Sequence, residues 1–295
     1  MPFPAQELLR CPVCSGPWAA SPDGAGGRSL VCASGHRFDA ARQGYVNFLT
    51  GRGTRFVPDT AEMVAARERF LGAGYYAPIA QAVADAAAPA LSGPGGPTDD
   101  GAGARRALSP AVLDAGAGTG YYLGAVLARS PGASAVALDL SRHALARAAK
   151  LPRTAAVVWD LWRDLPLPDR SVDVVLDVFA PRNLREYARV LRPRGVLCIV
   201  TPRPEHLAGL RDLLPMLDVP AGKAEGVARA AEQDFEAGYR RAIEFPLVLD
   251  RDAAADLALM GPAGHHTERA VLLAKLPAGP LETEGAVELS VLRRR

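Results

Sequence analysis

A chain of 295 residues with 34 Lys and Arg against 32 Asp and Glu has a formal net charge of only +2. That balance excludes a histone-like polycation but leaves room for a local basic patch. Apolar residues reach 49%, enough for one large domain and a smaller module. No apolar run is long enough to span a bilayer. The start, MPFPAQELLRCPVC, lacks the basic and apolar segments of a secretory signal. A cytoplasmic protein with reduced cysteines and no membrane partner is expected.

Residues 1–50 are turn-rich and hold three of the four cysteines. Cys11-Pro-Val-Cys14 and Cys32-Ala-Ser-Gly-His36 form a C-x2-C pair and a C-x3-H pair. Two such pairs on two turns surround one zinc ion tetrahedrally, and four protein ligands close the shell, so the metal is expected to be structural. A module of this size has little core of its own, and metal binding supplies much of its folding free energy. Arg37, Arg42, Arg52 and Arg55, with Phe38, Tyr45 and Phe48 interleaved, are a candidate RNA surface.

Residues 51–107 read as a helical connection followed by a Gly/Pro-rich loop at 92–107. Asp59-Thr60 starts a helix carrying Met63, Ala66, Phe70 and Leu71 at helical spacing, and Tyr75, Tyr76, Ile79 and Val83 continue into a second. From residue 108 to 295 strand and helix alternate. VLDAG, AVALDLS, AAVVWDL, VDVVLDVFA and GVLCIVTPR are the strand candidates, with YLGAVLARS, RHALARAAKL and NLREYARVLR as helices between them. The alternation predicts an α/β fold, a doubly wound Rossmann-like parallel sheet. Cys198 falls inside a buried strand and reads as core. Residues 205–245 are expected to be mostly helical, and FPLVLD, AVLLAKL and VELSVLRR to supply the last strands.

The first of these strands runs into Asp114-Ala-Gly116-Ala-Gly118-Thr119-Gly120, a GxGxG turn preceded by a carboxylate. Glycines let backbone approach a ligand where a side chain would clash. Tyr121 stands where the last glycine of a GxGxxG dinucleotide fingerprint would be, which fits a nicotinamide or flavin enzyme poorly. Asp139-Leu140 ends the second strand, where a carboxylate accepts ribose hydroxyls. Asp160 ends the third, where an adenine amino group would be met. The set points to a nucleoside-containing cofactor at the strand ends.

The stretches CPVC, CASGHRFDAARQGYVNFL, DTAEMVAARERFLGAGYYAPI, VLDAGAGTGYYL, ALDLS, VFAP and TPRPEHL resemble, in this order from Cys11 to Leu207, the bacterial zinc-containing 23S rRNA guanine-N1 methyltransferases. That family includes a tylosin-resistance enzyme. The C-terminal third is similar more loosely, best at LALMGPAGHH. The resemblance implies a class I methyltransferase sheet, S-adenosylmethionine as methyl donor, and zinc on Cys11, Cys14, Cys32 and His36. It implies that Tyr76, Gly118, Thr119 and His206 contact the donor and that Phe179-Ala180-Pro181 faces the reacting base. It further implies a homodimer acting on a domain II hairpin of 23S rRNA. Arg194 departs from the glycine usual in the family, and the loop at 92–107 is longer than usual.

Guanine N1 is protonated at neutral pH, so its proton must leave, and the base must be unstacked to be reached. His206 and Asp177 are the candidate proton acceptors, with donor binding by His206 and loop orientation by Asp177 as the plainer readings. Tyr75, Tyr76, Tyr121 and Tyr122 either stack on a base or pack the core. His265 and His266 are expected on the surface. Two other functions compete: a small-molecule methyltransferase with the same cofactor fold, and a zinc-dependent RNA-binding factor with a vestigial site. The zinc module argues against the first, and the intact Asp114, Gly116, Gly118 and Asp139 against the second.

Overall fold

A computed structural model describes residues 3–19, 29–51, 53–92, 109–216 and 223–295. Arg52 and nearly all of the 92–107 loop lie outside the described residues. The N-terminal module is a two-stranded antiparallel hairpin, β1 (Ser29–Val31) and β2 (Arg37–Asp39), followed by the short β3 (Val46–Asn47). Trp18, Phe38 and Phe48 form its aromatic centre, with ring centroids 5.0–5.9 Å apart. This corrects the RNA-surface expectation for Phe48, which is fully buried; Phe38 and Tyr45 are half-buried, and Arg37, Arg42 and Arg55 are exposed.

Thr60 caps α1 (Ala61–Gly72), its hydroxyl accepting from the Met63 N–H at 3.2 Å. Met63, Val64, Ala66, Phe70 and Leu71 make its buried face. After the Gly74 turn, Ile79, Val83 and Ala87 bury α2 (Ala77–Leu91). Then the alternation begins: β4 (Ala111–Ala115), α3 (Tyr121–Arg129), β5 (Ser134–Asp139), α4 (Arg142–Ala148), β6 (Thr154–Val158), β7 (Val172–Val178), α5 (Leu184–Val190) and β8 (Leu191–Pro202). Every residue of β4, β6 and β7 is buried, as strands covered on both faces require.

Two expectations for the C-terminal third are corrected. Among the described residues of 205–245 there is one α-helix, α6 (Lys223–Ala231), after which the 15-residue β9 (Phe235–Leu249) takes in FPLVL. AVLLAKL is not a strand but most of α8 (Arg269–Lys275), which follows α7 (Arg251–Leu259). β10 (Leu281–Arg294) contains VELSVLRR and pairs antiparallel with both β8 and β9. The sheet is therefore mixed, in the order β3-β6-β5-β4-β7-β8-β10-β9. β3 pairs with β6, so the zinc module and the large sheet are continuous through hydrogen bonds.

Arg194 lies in β8 with a left-handed φ of 64° and an exposed side chain. A Cβ in that region costs about 1–2 kcal/mol, while glycine loses about 0.5–1 kcal/mol of backbone entropy. Arg194→Gly should raise stability by about 0.5 kcal/mol, read as a higher urea midpoint at unchanged m-value.

Candidate functional site

Cys11, Cys14, Cys32 and His36 come together at the tip of the module, with their donor atoms all within 4.8 Å of one another. Cys11 Sγ lies 3.6 Å and Cys32 Sγ 3.3 Å from His36 Nδ1, and Cys14 Sγ lies 3.6 Å from Cys32 Sγ. Zinc bonds of about 2.0–2.3 Å in a tetrahedron set ligand atoms about 3.5–3.8 Å apart, so a zinc ion fits this shell. Each ligand turn is closed by its own backbone: the Cys11 N–H donates to the Gly16 carbonyl, and the Cys32 N–H to the His36 carbonyl. The Cys14 thiol is drawn down to about 6, first by hydrogen bonding to the Gly16 backbone and then to Ser34. That favours the thiolate a metal ligand must be.

A cavity of about 750 Å³ opens at the carboxyl ends of β4 to β7. β5 and β7 flank β4 on opposite sides, so this is the topological switch point where α/β sheets take their ligands. From the glycine turn, Gly116, Gly118 and Thr119 line it. Asp139, Leu140 and Asp160 line it from the next two strand ends, Phe179, Ala180 and Pro181 from the loop after β7, and Tyr76 and His206 from the far wall. Asp114, Gly120 and Asp177 stand behind that wall. Gly120 has φ +81°, and a Cβ there would sit 2.8 Å from Leu151 Cδ1, so its glycine serves packing against α4. Gly116, with φ +81°, passes so close beneath the loop that a Cβ would meet that of Ala180 at 2.5 Å.

Asp139 ties two elements together. Its carboxylate accepts the Gly118 N–H at 2.8 Å and the Ser141 N–H at 2.7 Å. Asp160 accepts the Thr54 hydroxyl at 2.8 Å and the Trp162 N–H at 3.0 Å. The Thr54 bond holds the segment leaving the zinc module against the cavity, where Phe56 and Val57 form part of the wall. Asp114 is buried, and its carboxyl is pushed up to about 8 by that burial and then by Asp139 and Asp177.

The Ala286 N–H donates to His206 Nδ1 at 3.1 Å, and His206 Nε2 lies 3.1 Å from Tyr76 Oη. Burial, and secondarily Arg211, lowers the imidazole to about 4, so it is neutral at pH 7. With Nδ1 accepting, the single ring proton sits on Nε2 and is donated to Tyr76. Neither nitrogen has a lone pair left for a substrate proton, and the Tyr76 hydroxyl proton is free for a ligand in the cavity. Asp177 is equally removed from proton transfer. It is fully buried, and Tyr187 Oη reaches its Oδ2 and the Pro181 carbonyl, both at 3.0 Å. Asp177 therefore anchors the Phe179–Pro181 loop.

Phe179 is 40% exposed with a left-handed φ of 56° and stacks at 6.0 Å on His206. Strain of this kind is typical of residues held for ligands. Of the tyrosines, Tyr75 stacks on Phe70 at 4.9 Å, whereas Tyr76, Tyr121 and Tyr122 line the cavity. The surface expectation for His265 is corrected: it lines the cavity 3.9 Å from Asp59, while His266 is exposed. Sequence reasoning also missed Arg67, Trp162, Arg182 and Arg211 in the wall. None belongs to a spacing motif, and the fold alone brings them together.

A glycine turn after β4, a carboxylate ending β5 and a cavity at the strand ends define a class I S-adenosylmethionine-dependent methyltransferase carrying a structural zinc ribbon. Residues 9–51 match the RlmA N-terminal zinc-ribbon family, and residues 112–195 match a methyltransferase domain family. A Micromonospora griseorubida protein assigned by name to the 23S rRNA (guanine-N1)-methyltransferases is 48% identical over 288 residues, covering 97% of each chain. The Streptomyces fradiae 23S rRNA (guanine(748)-N(1))-methyltransferase is 40% identical over 294 residues, again covering 97% of each. Bacillus subtilis (strain 168) YxjB, also assigned by name to this activity, is 33% identical, covering 87% of this chain and 86% of its own. The chain belongs to the 23S rRNA (guanine-N1)-methyltransferase family.

Proposed function

We infer that this enzyme transfers a methyl group from S-adenosylmethionine to N1 of a guanine in a domain II hairpin of 23S rRNA. The observation that carries the reading is the join between module and cavity. β3 pairs with β6, and Thr54 binds Asp160, so the chain leaving the zinc ribbon becomes a wall of the donor site. A small-molecule enzyme has no use for such a connection. The reading divides the chain into a zinc-binding RNA-recognition domain at 1–50, a helical connection at 51–107 and the methyltransferase domain at 108–295. It also includes a cytoplasmic homodimer and the macrolide-resistance branch of the family. Among the described residues no helix is long and apolar enough to cross a membrane.

S-adenosylmethionine, when bound, supplies an electrophilic methyl group on a sulfonium. In this reading Gly116, Gly118 and Thr119 bring backbone to the donor, with Asp114 and Gly120 shaping the turn from behind. Asp139 and Leu140 take the ribose, Asp160 the adenine amino group, and Tyr76, oriented by His206, donates its hydroxyl proton to the donor. The exposed Phe179 ring, with Ala180 and Pro181, receives the unstacked base. Holding the two reactants in line supplies much of the rate.

N1-methylguanine cannot form a Watson–Crick pair and halts reverse transcriptase. Primer extension across domain II of 23S rRNA treated with enzyme and S-adenosylmethionine should give one new stop, which names the nucleotide. Guanine 748, for which the Streptomyces fradiae relative is named, is the reference position. A zinc-loaded, donor-binding enzyme that produces no stop refutes the rRNA reading.

A further inference from the structure

Among the described residues three guanidinium groups line the cavity, and two of them donate hydrogen bonds. Arg67 is paired with Asp59 at 2.5 Å and donates to the Met260 carbonyl at 2.7 Å. Arg211 donates to the carbonyls of His206 and Pro204. Arg182 makes no hydrogen bond among the described residues. Its Nε is buried without a hydrogen bond and meets Asp177 Oδ1 only as an ion pair at 3.6 Å, and that oxygen has no hydrogen bond either. A guanidinium only 22% exposed, with no protein acceptor for its hydrogens, leaves its outward-facing N–H groups for water or for a ligand in the cavity.

The position of Arg182 is fixed on both sides. Pro181 is held through its carbonyl by Tyr187, and Asn183 donates from Nδ2 to the Leu161 carbonyl at 2.8 Å. Three residues upstream, Phe179 presents the exposed ring already assigned to the base. The carboxyl that could cancel the charge of Arg182 is itself pushed up to about 7 by burial, against the pull of Arg182 and Tyr187. Asp114, the next carboxyl behind it, is pushed up to about 8. At neutral pH a share of both is uncharged, so Asp177 cancels the charge of Arg182 only in part.

We propose that Arg182 makes guanine N1 nucleophilic by donating to O6 of the target base and carrying the negative charge that develops there as N1 loses its proton. This rests on the rRNA guanine reading above. The N1–H bond breaks with its electron pair left on the ring, and the proton passes to water. The N1 pair then bonds to the methyl carbon while the carbon–sulfur bond breaks and its pair goes to sulfur. The products are N1-methylguanine, S-adenosylhomocysteine and one proton. Loss of the N1 proton moves charge onto O6, so a fixed cation at O6 makes N1 more acidic and stabilises the transition state. The same group rejects adenine, which turns an amino donor toward the guanidinium donors where guanine has O6.

The test uses the zinc-loaded enzyme with Arg182→Gln and Arg182→Lys variants. Calorimetry compares S-adenosylhomocysteine with methylthioadenosine, which lacks the amino-acid end, and single-turnover methylation of a domain II transcript is followed from neutral to alkaline pH. Expected are donor-product affinities within about twofold of wild type and a Gln variant slower by roughly 100- to 1,000-fold at neutral pH. The Gln rate should keep climbing with pH where the wild type has levelled off, and Lys should recover part of the loss. A Gln variant with the wild-type rate and pH profile overturns the proposal while the rRNA reading stands. A variant that loses affinity for S-adenosylhomocysteine but not for methylthioadenosine also overturns it, assigning Arg182 to the donor's carboxylate. A wild-type enzyme that leaves the RNA unmethylated fails the reading itself and takes the proposal with it.

Discussion

Replacing Cys32 by serine should remove zinc and unfold the N-terminal module while leaving most of the large sheet folded. Cys32 lies within 3.6 Å of both Cys14 Sγ and His36 Nδ1, so its loss opens the shell at the centre. Structural zinc in small modules contributes about 10–16 kcal/mol of apparent binding free energy, far more than the β1–β2 hairpin and three aromatic rings can replace. The damage should spread only where the module touches the sheet, at β3 and at the Thr54–Asp160 bond. Trp18 packs at 5.5 Å on Phe48 in the module, so its fluorescence should shift on chelation. Affinity for the rRNA hairpin should fall by at least about 100-fold, and that for S-adenosylhomocysteine by no more than about tenfold, since the module reaches the donor cavity through β3 and the single Thr54–Asp160 hydrogen bond. Equal losses of RNA and donor affinity would show that module and cavity are one cooperative unit.

What the sequence made legible is what short-range chemistry dictates. The C-x2-C and C-x3-H spacings announce the zinc shell because each ligand pair must sit on one tight turn. GxGxG with Asp139 announces the donor site because a sharp strand-to-helix turn and a carboxylate at the next strand end are local requirements. The C-terminal third was misread because its structure is set by partners distant in sequence. In β9 only Ile243, Phe245, Leu247 and Leu249 show the period-two burial of a strand, while residues 236–242 are exposed and composed of Glu, Ala, Gly, Tyr and Arg. They are extended because β10 pairs with them, not because of propensity. AVLLAKL, a short apolar run, is compatible with either structure, and α8 buries only Leu272 fully.

The same distinction explains the site. Arg67 comes from α1, Arg182 from the loop after β7 and His265 from beyond α7, and no spacing links them. Phe48 reads as part of a candidate RNA surface because arginines are interleaved with it, but an aromatic ring in a small module is also its main source of core. Of the two readings of His206, the hydrogen bonds favour orienting Tyr76 over accepting a proton, for a related reason. The Ala286 N–H that occupies its Nδ1 arrives on β10, 80 residues away.

Asp139→Ala should abolish useful donor binding while sparing zinc and RNA affinity. The carboxylate accepts two backbone N–H groups, from Gly118 and Ser141, and faces the cavity between them. Removing it leaves both donors without their acceptor. Hydrogen bonds to a charged group contribute about 1.5–3 kcal/mol each, so the turn loses what fixes it to the end of β5. The ribose hydroxyls lose their acceptor at the same time. Two such bonds lost on the ligand side, about 3–6 kcal/mol, correspond to roughly 100- to 10,000-fold in S-adenosylhomocysteine affinity. Asp139→Asn separates the two effects. Its carbonyl can still accept one N–H, so stability should recover more than donor affinity does. Calorimetric titration with S-adenosylhomocysteine beside a urea melt reads both quantities. If Asp139→Ala binds the donor product within threefold of wild type, the carboxylate serves only the turn, and the ribose must be held by the rest of the cavity wall.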